Sequence, residues 1–214
     1  MKDNMKFTCI DCNVKACNKK CSDNWPVFCP TAHEGSDTIL SEALQLYNDE
    51  TNHNIMISAA EVEYQYYGKM TRIEETIAFA KKMNYKKIGI ATCIGLLDES
   101  TILANILRQH SFEVFGVSCK AGSVDKTSVG IREECTKVGM KICNPINQAL
   151  RLNEEKTDLN IVMGLCVGHD ILFFKYSLAP TTTLVVKDRV TCHNSAAPLY
   201  TSNSYYSKLM KPED

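Results

Sequence analysis

KKIGIATCIGLLDESTILANILRQHSFEVFGVSC, residues 86–119, contains the pattern that decides the fold. A short apolar run at 86–92 predicts a buried strand, and a second run at 112–118 predicts another. Between them Asp98 is expected to cap a helix whose apolar residues recur at helical spacing. This order predicts two parallel strands joined by a right-handed crossover, which is the repeating unit of an α/β sheet.

The same alternation continues toward the C-terminus. Two further apolar runs, 158–165 and 182–186, predict a third and a fourth strand. Asn144 followed by Pro145 predicts a helix start, because asparagine caps the first turn and proline fits its first position. A short helix is expected at 168–176. The whole pattern predicts a doubly wound α/β domain, Rossmann-like or flavodoxin-like, with a mainly parallel sheet.

Further helices are expected outside these strands. Ser36 is expected to cap a helix with apolar residues at helical spacing. Ser58 and Thr71 each stand three residues before a glutamate, which predicts a capping box and a new helix at each. After the second strand, a helix is expected from about 127 to 138.

The first 35 residues form a distinct cysteine-rich segment. Five of the 11 cysteines lie here, with the spacing Cys9-x2-Cys12-x4-Cys17-x3-Cys21-x7-Cys29. The segment has too few apolar residues to build a core of its own, so a bound metal is expected to hold it together. The chain is therefore predicted to comprise a metal-binding segment, residues 1–35, and an α/β domain, residues 36–214.

Thiolates at this spacing suit two kinds of metal site. Cys9 and Cys12 form a tight two-thiolate hook of the type found in zinc and iron–sulfur proteins, and Cys29 precedes a proline, as in bacterial ferredoxin motifs. Soft thiolate ligands suit iron–sulfur clusters, such as [4Fe–4S], and zinc equally well. The favoured ligands are Cys9, Cys12, Cys17 and Cys29, with Cys21 spare.

Four more cysteines are expected to meet at one edge of the sheet, called the rim below. Cys93, Cys119 and Cys166 follow predicted strands, and Cys143 precedes the predicted helix start. The carboxyl ends of parallel strands share one edge, where ligands bind. Helix N-termini at this edge lower thiol pKa values. The rim cysteines, Cys93, Cys119, Cys143 and Cys166, therefore predict a second iron–sulfur or zinc site, and Cys192 is a further candidate.

Charged residues are expected beside these thiols. Lys120 and Lys187 stand at strand ends, where they would neutralise a reduced cluster or bind an anionic substrate. The alternative for both lysines is an ordinary solvated surface position. His169 is expected to hydrogen bond near the rim without ligating a metal. Cys135 is expected only to pack within its helix.

The run GLCVG at 164–168 supports a different interpretation. It is similar to the Gly-x-Ser-x-Gly nucleophile elbow, with cysteine in place of serine. Cys166 would then be a nucleophile with His169 or His193 as its base, and the N-terminal site would be a structural zinc clip. A third hypothesis is a non-enzymatic metal sensor or carrier that uses the same thiols.

Composition limits the partners and the compartment. The net charge of −1 argues against a nucleic-acid-binding surface, and no apolar run is long enough to span a membrane. The N-terminus lacks the apolar stretch of a signal peptide. The protein is therefore expected in the cytoplasm, where disulfides are rare, and the odd number of cysteines also argues against a closed disulfide framework.

The chain as a whole resembles an uncharacterised, cysteine-rich "predicted metal-binding" family of domains of unknown function from anaerobic bacteria and archaea. The resemblance covers nearly the whole chain. It rests on the N-terminal cysteines with Cys29-Pro30, on CIGL at 93–96, Cys119-Lys120, CNPI at 143–146, GLCVGHD at 164–170, KDRV at 187–190 and His193-Asn194. It implies metal binding and iron–sulfur clusters, without a settled reaction. Cys21, Cys135 and Cys192 lie outside the pattern.

Together these patterns predict a cytoplasmic iron–sulfur protein. One cluster is expected at the N-terminus and a second at the rim, for electron transfer or for redox chemistry on a small substrate. A redox partner protein and a small-molecule substrate are the expected partners. The residues expected to carry the rim chemistry are Cys166, His169, Lys120 and Lys187.

Overall fold

The computed structural model describes residues 7–18, 25–32 and 36–211, so Cys21 lies outside the described residues. The contacts divide the chain into two units, an N-terminal unit, Met1–Ala60, and a C-terminal unit, Glu61–Asp214. The sheet belongs to the C-terminal unit. Within the described part of the chain, no helix is long and apolar enough to cross a membrane.

Four parallel strands make up the sheet. They are β1 (Lys87–Thr92), β2 (Glu113–Ser118), β3 (Leu159–Met163) and β4 (Thr181–Val185). Their spatial order is β2-β1-β3-β4, and each neighbouring pair is parallel. The predicted α/β fold is confirmed, and the order matches that of flavodoxin-like sheets, in which the winding direction reverses between β1 and β3.

The two central strands are buried on both faces. All five residues of β3 are buried, as are five of the six in β1. This is why both strands are almost continuously apolar in sequence. The polar residue of β3, Asn160, is fully buried and has partners: Thr157 Oγ1 donates to its Oδ1 at 2.7 Å, and its Nδ2 donates to Ser177 Oγ at 2.9 Å.

Helices cover both faces of the sheet, as a doubly wound domain requires. The helix bounds are α1 Ser36–Leu46, α2 Glu50–Tyr66, α3 Arg72–Lys82, α4 Leu97–Gln109, α5 Pro145–Glu154, α6 His169–Tyr176 and α7 Ala197–Tyr200. On one face, Ile77 of α3 and Leu107 of α4 pack in one core cluster with Ile90 of β1. On the other face, Leu152 of α5 and Phe173 of α6 pack in a second cluster with neighbouring strand residues.

Helix starts agree with the sequence where the cap is local and unambiguous. The capping box of Thr71 with Glu74 is present at the start of α3, and Asn144 accepts from the Asn147 N–H at the start of α5. The prediction of a helix start at Ser58 was wrong. Helix α2 runs through Ser58, because Asp49 caps it earlier by accepting from the Asn52 N–H at 3.0 Å.

Two other helix predictions also need correction. Asp98 lies inside the first turn of α4 and does not cap it, because a 3-10 turn, Ile94–Leu96, leads directly into the helix. The helix expected at 127–138 is replaced by two short 3-10 segments, Thr127–Val129 and Glu133–Val138. Gly130, with φ of +80°, ends the first of them, because a left-handed residue cannot continue a helix.

Candidate thiolate site at the sheet edge

The site lies where the winding of the sheet reverses. Strands β1 and β3 are neighbours, yet their chains leave toward opposite sides at their carboxyl ends. Ligands of doubly wound sheets bind in the crevice at this position. Cys93 follows β1 directly, and Cys166 lies in the loop between β3 and α6. Two of the rim cysteines thus flank the position at which such folds bind ligands.

Main-chain hydrogen bonds fix the loops that carry these thiols. The Cys93 N–H donates to Met163 O at 3.0 Å, and the Cys119 N–H donates to Thr92 O at 2.8 Å. The Asn144 N–H donates to Cys119 O at 2.7 Å. These bonds extend the strand ladders beyond the sheet, so they hold three chain segments in register at the rim.

Three of the rim thiols are in contact. The thiol of Cys119, which is only 2% exposed, hydrogen bonds with Cys93 and with Cys143. The Ile94 N–H also donates to Cys119 Sγ at 3.3 Å. The chain therefore brings together cysteines that lie 24 to 50 positions apart in the sequence, with Cys119 in the middle.

The contact with Cys119 strongly favours the thiolate of Cys143. The hydrogen bond from Cys119 lowers the pKa of Cys143 to about 3, and His169 and Lys120 contribute to the same shift. Lys120 Nζ lies 3.3 Å from Cys143 Sγ and also donates to Lys141 O at 2.7 Å. Cys143 is therefore deprotonated at neutral pH in the metal-free protein.

Cys93 is shifted in the same direction, and Cys119 in the opposite one. The hydrogen bond from Cys119, the Gly95 backbone and Lys187 lower the pKa of Cys93 to about 5, although burial opposes the shift. Hydrogen bonding to Cys143 and Cys93, together with burial, raises the pKa of Cys119 well above the ordinary thiol value. At neutral pH these three cysteines therefore comprise two thiolates, Cys93 and Cys143, and one protonated thiol, Cys119.

The side chain of His169, the first residue of α6, hydrogen bonds with Cys143. No such bond joins it to Cys166 within the described residues. Its interaction with Cys143 raises the imidazole pKa above the ordinary histidine value, although burial opposes this. Its Nδ1 is buried and has no hydrogen-bond partner among the described residues. His193, the other base considered for Cys166, accepts from the Asp188 N–H at 3.1 Å through its Nδ1.

Cys166 has a partner that sequence reasoning missed. Arg189 Nη2 donates to Cys166 Sγ at 3.1 Å. This hydrogen bond and the charge of Cys166, with smaller contributions from Cys93 and Cys143, raise the pKa of the guanidinium. The signal in the sequence was a second cation two positions after Lys187. Arg189 thus links Cys166 electrostatically to the other rim thiols.

Within the described residues, no hydrogen bond joins the two other cysteines of the C-terminal unit to a rim thiol. Cys192 is exposed, and Cys135 is half-buried in the 3-10 segment Glu133–Val138. All ten cysteines in the described ranges are free thiols. Cys135 and Cys192 therefore provide matched controls for the rim cysteines.

The four predicted N-terminal ligands line one cavity of about 220 Å³, together with Trp25 and Phe28. This volume is several times the roughly 30 Å³ that a water molecule takes in the liquid. Burial raises the pKa of Cys29, but hydrogen bonds from Thr31 and Ala32 outweigh it and leave the pKa below the ordinary value. The predicted ligands that line this cavity are Cys9, Cys12, Cys17 and Cys29.

The donor chemistry at both sites fits soft metals, although the side chains are not preassembled around a single ion. Within residues 7–18, 25–32 and 36–211, no three histidine, cysteine, aspartate or glutamate side chains are placed to hold one metal ion. A zinc site needs four donors at about 2.0–2.3 Å from one ion. An iron–sulfur cluster distributes its thiolates over several iron atoms. The soft thiolate donors therefore suit zinc and an iron–sulfur cluster alike.

The pH dependence of alkylation tests the thiolate assignment at Cys143. In the metal-free protein, its alkylation rate is expected to stay nearly constant from pH 8 down to about pH 5, since its pKa lies near 3. An ordinary thiol, with a pKa of about 8.5, loses close to a hundredfold between pH 8 and pH 6. Mass spectrometry of the Cys143 peptide after iodoacetamide pulses gives the rate.

The same peptide in urea-unfolded protein is the control for this measurement, because its thiol is then ordinary. The readout is the change of the alkylation rate with pH and not the absolute rate, since a thiolate of low pKa is also a weaker nucleophile. A folded protein whose Cys143 profile coincides with that of the unfolded chain would contradict the assignment.

Comparison with known proteins gives two matches. A family model described as protein of unknown function, DUF1847, matches residues 29–184, a range that contains all four rim cysteines. An uncharacterized protein of Methanocaldococcus jannaschii is 49% identical over 191 residues, which cover 89% of this chain and 97% of that protein. Neither match has a stated activity, so the function must be argued from the site.

Proposed function

The chain belongs to the DUF1847 family of proteins of unknown function, and we propose that it is an iron–sulfur redox protein with a thiolate-ligated cluster at the rim and another in the N-terminal unit. One observation carries the proposal: Cys93, Cys119 and Cys143 meet at the ligand-binding edge of the sheet, with Cys166 held nearby by Arg189. When bound, such a cluster supplies one-electron transfer.

The rim cysteines would hold the cluster, and their protonation state supports this role. Metal binding to cysteine requires loss of the thiol proton. Cys93 and Cys143 are already thiolates at neutral pH, because their pKa values are about 5 and about 3. Only the buried Cys119, whose pKa is raised, must release a proton. Two of the three contacting rim thiols therefore need no deprotonation before they bind a metal.

Three cations would balance the negative charge of a thiolate-ligated cluster. Lys120 lies 3.3 Å from Cys143, Lys187 hydrogen bonds to Cys93, and Arg189 donates to Cys166. Hydrogen bonds and charges around the sulfurs set the reduction potential of such clusters. These residues would favour the reduced, more negative state.

The N-terminal unit would hold the second cluster through Cys9, Cys12, Cys17 and Cys29. The cavity that these residues line is also walled by Trp25 and Phe28, which reduce the access of water. Zinc is the alternative at this site, because thiolates bind it equally well. A redox partner protein and a small substrate complete the proposal, in the reducing cytoplasm that a thiol-rich chain favours.

A second candidate function rests on the pairing of Cys143 with His169. A thiolate beside a histidine of raised pKa is the arrangement of a cysteine nucleophile. In this alternative Cys143 takes the role that the sequence suggested for Cys166, and the N-terminal site is a zinc clip. A metal carrier that uses the same thiols, without turnover, is the third candidate.

Anaerobic purification followed by visible spectroscopy separates these functions. The proposal predicts a broad absorbance band at about 400 nm, which Cys-ligated clusters show. This band is expected to bleach with dithionite and to return on oxidation. Colourless protein in which Cys143 is alkylated readily would contradict the proposal and favour the nucleophile. Complete, reversible loss of metal to a mild chelator would favour the carrier.

A further inference from the structure

Three cations at the rim have sulfur partners but no carboxylate partners among the described residues. Lys120, Lys187 and Arg189 all act on the rim thiols. Within the described ranges, none of the three takes part in an ion pair with a carboxylate. Cations that converge on one place without carboxylate partners are a common feature of sites for anions.

Arg189 has most of its hydrogen-bonding capacity free. The side chain is exposed, and within the described part of the chain its one hydrogen bond goes to Cys166 Sγ. A guanidinium carries five N–H donors in a planar fork, whereas a cysteine sulfur is a weak acceptor. A carboxylate or an oxyanion would accept two of these donors side by side.

The loop that presents Arg189 is fixed from both sides. The Asp188 carboxylate accepts from the Val190 N–H at 2.9 Å and from the Thr191 N–H at 3.0 Å. The His193 N–H donates to Asp188 O at 2.8 Å, and His193 Nδ1 accepts in return from the Asp188 N–H. A bonded loop of this kind presents the guanidinium at little entropic cost on binding.

Backbone strain marks the same loop. Cys192 and His193 are consecutive non-glycine residues with φ of 52° and 68°. Left-handed non-glycine residues are strained, and such residues cluster at ligand-binding and active sites. The hydrogen bonds between Asp188 and His193 maintain this conformation.

The two loops of the crevice leave room beside them. Gly95 follows β1, and Gly168 precedes α6. Among the described residues, no atom outside the neighbouring residues lies within 4 Å of the position that a Cβ would take at either glycine. Glycine at both places lets a ligand approach the backbone closely.

We propose that the rim binds a small substrate through a carboxylate or oxyanion group, and that Arg189 recognises this group with Lys187 as the second cation. The substrate class rests on the proposed function, because the anion would be held beside the rim thiols. Arg189 exchanges its weak bond to Cys166 for a paired bond to the anion. Arg189 therefore acts in binding and is not itself redox-active.

Calorimetric titration of the purified chain tests the proposal with two probes, sodium malonate for the carboxylate and inorganic phosphate for the oxyanion. Sodium chloride at equal ionic strength is the blank. At least one probe is expected to bind, and Arg189→Gln is expected to weaken it by about tenfold or more, since one charge-assisted pair is lost. Arg189→Lys is expected to retain part of the affinity, because the charge stays and the fork is lost.

Arg108→Gln is the matched control. Arg108 lies in the last turn of α4, at the opposite end of that helix from the rim, and donates to Asn105. Loss of binding in Arg189→Gln but not in Arg108→Gln supports the proposal. Equal binding by both variants, or no binding of either probe above chloride, overturns it.

Iron measured in the same samples separates this proposal from the proposed function. Iron-containing protein that binds neither probe refutes the anion site and leaves the cluster proposal standing. Iron-free protein that binds a probe through Arg189 supports the anion site and refutes the cluster proposal. Arg189→Gln protein with the iron content of the wild type shows that its lost affinity is not a secondary effect of cluster loss.

Discussion

Replacing Cys143 with serine is expected to remove about half of the iron and about half of the visible absorbance, since one of two thiolate-ligated clusters is lost. Cys143 is the thiolate most strongly stabilised by its surroundings, because Cys119, His169 and Lys120 all act on its sulfur. Serine keeps the size of the side chain but supplies a poor ligand for iron. Iron, sulfide and the spectrum are measured after anaerobic purification.

The matched controls are Cys135→Ser and Cys192→Ser, because in the described part of the chain neither cysteine hydrogen bonds to Cys93, Cys119 or Cys143 or lines the N-terminal cavity. Both are expected to retain the full iron content. Cys12→Ser should remove the other half, and the double variant Cys12→Ser, Cys143→Ser should be colourless. If Cys143→Ser kept all of its iron, or if Cys192→Ser lost as much, the rim cysteines would not be cluster ligands.

Gly164→Ala is expected to destabilise the fold by about 2–4 kcal/mol, from a left-handed backbone and from overpacking together. Gly164 has φ of +65°, and a Cβ there would lie 2.3 Å from Leu96 Cδ1. The strand end has little freedom to relax, because the Gly164 N–H donates to Val185 O at 2.8 Å. The new methyl group would therefore displace Leu96 or the loop that carries Cys166.

Urea unfolding of the metal-free protein measures this cost, and Gly95→Ala is its control. Gly95 lies in the opposite loop of the crevice, with no positive φ and open space where the Cβ would stand. Its substitution is expected to change stability by less than about 0.5 kcal/mol, as for surface changes in general. Equal urea midpoints of unfolding for the two variants would contradict this prediction, because the Cβ added at position 164 would then cost no stability against Leu96.

The sheet was predictable because its central strands carry an unusually clear signal. In the middle of a parallel sheet both faces are covered, so β1 and β3 are apolar along most of their length. Cys93 and Cys119 directly follow strands, and Cys143 directly precedes the helix that crosses over from β2 to β3, so all three lie at the carboxyl edge. This topological fact made the grouping of Cys93, Cys119 and Cys143 predictable across a long stretch of sequence.

The pairing of individual side chains was not predictable in the same way. That His169 lies against Cys143, and that Arg189 lies against Cys166, depends on loop paths that no periodic pattern encodes. The false helix start at Ser58 has a similar cause. A capping motif is local, and the earlier cap at Asp49 makes the one at Ser58 redundant within one continuous helix.

The most direct test of the account is the content of iron, acid-labile sulfide and zinc in the chain purified without oxygen. Two four-iron clusters would give about eight iron atoms and about eight sulfides per chain, with no zinc. Iron and sulfide in equal amounts, in protein whose rim thiols resist alkylation until the metal is removed, is the predicted result. Zinc without sulfide, in protein whose rim thiols alkylate freely, would contradict the account.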